Sequence, residues 1–210
     1  MIELRTRTYQ SEGRYVTYPI VVSGADPTSI NKLNSIILED INKILGIYSM
    51  DTYPQPLQGP DLFLKDSLYI YYYVKRHDDR YLSILYTADY YNPYGAYPSQ
   101  MVYTTNIDLI NNRRLNIHDL IDMDTPSNID LSSWELVTTG MGGEAYRKIV
   151  LEYILGLGVE TLRKGFLTAD IIGYENLLGI FSYIRPTRIG ISISVPHYIG
   201  DHAEFERDIE

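Results

Sequence analysis

The 210 residues fit the size of one α+β domain, and 27 Asp+Glu against 18 Lys+Arg leave a net charge of -9 that repels a phosphate backbone, so nucleic acid is not an expected partner. Cysteine is absent, which excludes disulfides, thiolate metal sites and a cysteine nucleophile, and no run approaches the ~18 apolar residues of a spanning helix. There are 21 Tyr against 4 Phe and 1 Trp, an unusual balance because each Tyr brings a large apolar ring with a hydroxyl that must be hydrogen-bonded or wet.

Residues 14–22 (RYVTYPIVV) are β-branched and aromatic and predict a first strand, near a sheet edge because Pro19 has no N–H for a ladder. Asp26-Pro27-Thr28-Ser29 supplies helix-start chemistry. Ile30, Leu33, Ile37, Ile41 and Ile44 then recur at three- and four-residue steps, which predicts a helix ending near Gly46. Residues 50–60, with three prolines and a glycine, predict a loop. Residues 68–75 (LYIYYYVK) and 81–91 (YLSILYTADYY), joined by the polar turn 77–80, predict a long hairpin.

A Pro/Gly/Tyr loop follows at 92–98, then a strand over 101–109 and a turn at Asn111-Asn112. Residues 115–121 read as a strand end and a helical turn, and 122–133 as a polar loop. A second helix is expected over 144–163, with Ile149, Tyr153, Leu157 and Leu162 on one face and Gly156 and Gly158 weakening its middle. Residues 177–184 and 188–195 predict a final hairpin, in which Ile189, Ile191, Ile193 and Val195 alternate with Gly and Ser. Hairpin-linked strands with helices inserted between them predict an α+β fold: an antiparallel β-sheet with helices packed on one face. One domain is expected over 1–210, with 1–60 as a candidate N-terminal sub-module.

Several constellations suggest chemistry. His197, Asp201 and His202 lie close enough in sequence to converge on a cation, but no further fixed ligand accompanies them, so ordinary hydrogen bonding is expected and no metal is assigned. Asp119, Asp122, Asp124, Asn128 and Asp130 are oxygen-rich but lack calcium-loop spacing and suit turns and caps. Gly140-Met141-Gly142-Gly143 precedes a helix without the Lys-Ser/Thr of a phosphate loop. No local frame for a hydrolase is present, so neither catalytic residues nor a cofactor are assigned. The best candidates are Tyr90, Tyr91, Tyr94 and Tyr97, clustered around Asn92-Pro93 and Gly95, where a turn can present aromatic rings with polar tips to a ligand.

Two stretches carry a family resemblance. One spans residues 86–119 and includes Tyr94-Gly95-Ala96-Tyr97-Pro98, Asn106-Ile107-Asp108-Leu109 and Leu115-Asn116-Ile117-His118-Asp119. The other is residues 190–205, GISISVPHYIGDHAEF. With the Tyr18-Pro19 strand and the Ile30-Asn31 helix, they make the chain resemble the bacterial domain of unknown function 3298, of the RsiV-like and PdaC-accessory type. The resemblance implies an α+β domain outside the cytoplasmic membrane that recognises a partner without catalysis. In the RsiV anti-sigma factor such a domain recognises lysozyme, and in the PdaC peptidoglycan deacetylase it accompanies a separate catalytic domain. The family loop often reads Gly-Gly-Ala-His where this chain has Tyr94-Gly95-Ala96-Tyr97. The expected function is therefore an extracytoplasmic recognition or sensor domain for a basic, lysozyme-like protein or a cell-wall glycan. The alternative is a carbohydrate-active enzyme or an accessory module of one.

Overall fold

A computed structural model describes residues 1–209 other than 12, 49–65, 93, 94, 96, 124 and 138–142. A hairpin of β1 (Glu3–Ser11) and β2 (Arg14–Ser23) leads into α1 (Pro27–Ile47), and the chain returns as β3 (Ser67–His77), β4 (Tyr81–Tyr91), β5 (Ser99–Asp108) and β6 (Arg113–Leu115). These strands form one six-stranded sheet in chain order. Its pairings are antiparallel except between β2 and β3, which run parallel through Arg14, Tyr15 and Val16 against Leu68, Tyr69 and Ile70. Parallel neighbours need a crossover, and α1 lies within it.

The strand predicted at 14–22 is not the edge: β1 lies outside it. β1 reads ELRTRTYQS and buries none of its side chains fully, so it has no apolar alternation by which a sequence could reveal it. Pro19 is tolerated for a local reason. Beyond Val16 the far side of β2 has no strand partner among the described residues, and there the Asn34 side chain of α1 takes over, accepting from the Val21 N–H at 2.8 Å and donating to the Val21 carbonyl at 2.9 Å. Two residues earlier on that side, the missing N–H of Pro19 costs no ladder bond.

Helix α1 starts as predicted. Asp26 Oδ1 accepts from the Thr28 and Ser29 backbone N–H groups at 3.0 and 3.1 Å, and Pro27 occupies the first turn, where no donor is needed. Leu33, Ile37, Ile41 and Ile44 are buried against Leu68, Ile70, Leu82, Ile84 and Tyr86 of the sheet. Each such aliphatic side chain contributes about 1.5–3 kcal/mol by leaving water. Asp40 shares this buried stripe; burial raises its pKa, and Arg114, ion-paired to it, opposes the shift together with the Thr105 hydroxyl at 2.6 Å.

The other face of this sheet is covered by a second, antiparallel sheet, ordered β7 (Glu135–Val137), β10 (His202–Asp208), β9 (Arg188–Ser194), β8 (Phe181–Ile184). The fold is thus α+β, as expected, but with two sheets where one was read. The Ile189, Ile191 and Ile193 face of the second sheet, with Ala203 and Phe205, packs with Trp134 and with helices α4 (Glu144–Gly156) and α5 (Val159–Leu167). Its small-residue face meets the first sheet: Tyr183 packs with Leu85 and Val102, and Gly190 leaves the space that the Tyr183 ring fills. The exposed backbone of β8 is bonded by side chains of the first sheet. The Ile184 N–H donates to Ser83 Oγ at 2.9 Å, and Asn106 Nδ2 donates to the Ser182 carbonyl at 2.8 Å.

The helix predicted over 144–163 is two helices, because Gly158 adopts φ +78 and ψ 152, a conformation nearly confined to glycine. Ile149 is exposed, and Val150 and Ile154 face the core in its place. The stretch read as a polar loop at 122–133 contains α3 (Pro126–Ile129) and a 3-10 turn (Leu131–Ser133), fastened by buried Leu131; the short α2 (Ile117–Leu120) precedes it as expected. The loop predicted at 50–60 lies outside the described residues. Among the described residues no helix is long and apolar enough to cross a membrane.

Candidate functional site

On β3 the two-residue period separates two kinds of side chain. Leu68, Ile70 and Tyr72 pack with α1, while Tyr69, Tyr71 and Tyr73 point the other way and stay 45%, 40% and 56% exposed. Tyr15 of β2 joins them, its ring 5.9 Å from that of Tyr71. These tyrosines share the face of the sheet that β8, β9 and β10 cover further along, over β4 and β5, so a file of rings runs up to the flank of the second sheet. The alternation in LYIYYYVK is the signal from which this face was readable, although the sequence reading took the run only as a strand.

Register connects the file to a polar site. Tyr69 lies opposite Asp89, and Asp89 opposite Gln100, which places the three in one row across β3, β4 and β5. Gln100 Nε2 donates to Asp89 Oδ1 at 2.6 Å, and the Gln100 backbone N–H donates to Asp201 Oδ2 at 3.1 Å. Asp201 holds a left-handed conformation, φ 68, directly after Gly200. Its second oxygen lies 3.0 Å from His197 Nδ1, and the Tyr97 ring stacks on His197 at 4.8 Å with an 18° interplanar angle.

Beside this chain lies a 420 Å³ pocket lined by Gln100, Tyr146 of α4, His197 and Tyr198 of the 3-10 turn His197–Ile199, and His202 and Glu204 of β10. Glu204 Oε2 accepts from Lys75 Nζ at 3.2 Å and from the Tyr183 hydroxyl at 3.0 Å, while Lys75 Nζ sits 4.5 Å from the centre of the Tyr183 ring. Burial and the two carboxylates Glu204 and Glu206 push the Tyr183 hydroxyl pKa upward, so it serves as a donor. Burial lowers the His202 pKa, which favours the neutral ring, and its Nδ1 is buried with no partner among the described residues.

The predicted tyrosines are dispersed. Tyr90 turns to the α1 side, with its ring 5.0 Å from Tyr48 and its hydroxyl donating to Asp66 Oδ2 at 3.1 Å, a packing role. Tyr91 is exposed on the opposite side of the strand. Tyr97 reaches the pocket region through His197, and Tyr94 lies outside the described residues. The residues first weighed for metal binding also separate: His197 engages Asp201, whereas the His202 ring turns to Glu204 at 4.0 Å. Among the described residues no three His, Asp or Glu side chains converge on a cation position. The acidic stretch does cap turns: Asp119 accepts from the Asn116 N–H, and Asp130 from the Ser132 N–H. Asp124 and residues 140–142 lie outside the described residues. Tyr69, Tyr71, Tyr73, Gln100, Tyr146, Tyr198 and Glu204 were not singled out from sequence, because the surface they form depends on how the second sheet is stacked on the first.

No family model matches the chain, and no curated protein matches it. It is similar to several solved structures, two of them DUF3298 family proteins. One is the crystal structure of a member of the DUF3298 family from Bacteroides fragilis, 17% identical, with a TM-score of 0.47 over 99% of this chain and 89% of that one. The other is the crystal structure of a DUF3298 family protein from Pseudomonas aeruginosa, 14% identical, with a TM-score of 0.44 over 100% of this chain and 88% of that one.

Proposed function

We propose that this chain is a member of the domain of unknown function 3298 family and acts as a non-catalytic recognition or sensor domain of the bacterial cell envelope, outside the cytoplasmic membrane. The family assignment rests on the residue runs at 86–119 and 190–205. The observation that carries the binding role is the exposed file of Tyr69, Tyr71 and Tyr73, with Tyr15 beside it, in register through Tyr69 and Asp89 with Gln100 of the pocket. The three rings leave about half of their surface open on an ordered sheet face, and rigid aromatic rings with polar tips are favoured in binding hot spots. The net charge of -9 suits a basic, lysozyme-like protein partner, whose approach it would accelerate. The rings and the polar pocket suit a cell-wall glycan.

The test is binding of the purified chain to lysozyme by surface plasmon resonance and to peptidoglycan sacculi by co-sedimentation. Saturable binding to at least one is expected, weakened about tenfold or more in a Tyr71→Ala/Tyr73→Ala double variant with an unchanged circular dichroism spectrum. Absence of binding to both, or full affinity in the double variant, overturns the reading. The His197–Asp201 contact favours one other reading, a carbohydrate-active enzyme in which Asp201 orients an imidazole base. Release of soluble fragments from sacculi, abolished in His197→Ala, would establish that alternative.

A further inference from the structure

The 420 Å³ pocket falls within the usual size of small-molecule sites, and the chemistry of its walls narrows what fits there. No Lys or Arg lines it among the described residues, and Lys75, which reaches the lining Glu204, is taken up by that carboxylate at 3.2 Å. An anion therefore finds no counter-charge. A metal ion fares no better. Asp201 already spends one oxygen on His197 and the other on the Gln100 N–H, Glu204 accepts from Lys75 and Tyr183, and among the described residues no three His, Asp or Glu side chains converge. What the walls retain is hydrogen-bonding capacity without a free cation, beside aromatic surface. His202, whose ring burial keeps neutral, and Gln100 line it with uncharged polar side chains. Tyr198 stands at the rim with 80% of its surface exposed, and Tyr146 flanks the turn at Gly200.

We propose that this pocket is a subsite for a neutral, polyhydroxylated ligand, namely one pyranose unit of an oligosaccharide, whose C–H face stacks on Tyr198 while its hydroxyl or amide groups bond His202, Gln100 and Glu204. A pyranose ring combines the two features that the walls demand: an apolar face, and donors and acceptors around its edge without net charge. The row Tyr69–Asp89–Gln100 then lies on the path by which further sugar units would extend from the pocket across the tyrosine file. This proposal rests on the reading of the same surface as a recognition site and specifies the ligand class for its pocket.

The test is a two-dimensional amide NMR titration of the full chain with a β-1,4-linked N-acetylglucosamine tetramer and, separately, a glucose tetramer of the same linkage. Saturable shifts are expected with at least one of them, centred on residues 197–204 and on Gln100. Tyr198→Ala and His202→Gln should each weaken binding about tenfold, and Tyr174→Ala, an exposed ring elsewhere, should leave it unchanged. No saturable shift up to roughly 10 mM sugar, shifts centred elsewhere, or equal binding by all three variants overturns the proposal. If both sugars fail while lysozyme binds and the Tyr71→Ala/Tyr73→Ala variant loses it, the pocket assignment falls and the recognition role stands.

Discussion

His202 carries the sharpest electrostatic conflict in the pocket. Burial depresses its pKa; Glu204, Asp201 and Asp89 pull it upward, Lys75 adds to the depression, and burial wins. Between that lowered value and the ordinary histidine value of about 6.5, the unfolded chain binds more protons at this site than the folded one. Its contribution to stability is therefore present above the ordinary value and is lost as pH falls through the folded one. Urea denaturation at a series of pH values from about 7.5 to 5.5 should show a falling midpoint for the native chain and a shallower fall for His202→Gln. Equal slopes would mean that the ring is not held neutral by its surroundings. Sequence could show that His197, Asp201 and His202 are neighbours, but not that a positive-φ residue at Asp201 turns the two imidazoles to different carboxylates.

Among the elements, those with a regular apolar or aromatic periodicity were legible: α1 with its Asp26 cap, the β3–β4 hairpin, and the alternation in β9. Those without such a face were not. β1 alternates Thr and Arg on an exposed edge, and the pattern over 144–163 fits one helix as well as two, because only the backbone at Gly158 breaks it. No atom lies within 4 Å of where a Cβ would stand on Gly158, so the effect of a side chain there is conformational alone. Gly158→Ala should lower stability by about 1–3 kcal/mol in urea denaturation, the usual cost of forcing a side chain into this region. A neutral or stabilising effect would mean that α4 and α5 join into the single helix that the pattern suggested.

At the scale of the molecule, the proposed function rests on incomplete coverage. The second sheet covers the first over β4 and β5, where Tyr183, Leu85 and Val102 meet, and reaches β3 only at its Lys75–Arg76 end, so the outward tyrosines of β3 remain half exposed. This stacking was not legible in the sequence, since the Gly190 and Ser192 face of β9 looks as though it is meant for solvent until it is seen against the Tyr183 ring and the first sheet. The Tyr90, Tyr91, Tyr94 and Tyr97 cluster looked coherent for the complementary reason: proximity along a loop says nothing about side, and Tyr90 and Tyr91 lie on opposite sides of β4. Hydrogen–deuterium exchange of the chain, saturated with lysozyme or with solubilised peptidoglycan and compared with the free chain, reads the whole surface at once. Protection concentrated at residues 69–73 and 197–204 is the predicted result; protection confined to α1, or to α4 and α5, would contradict the account.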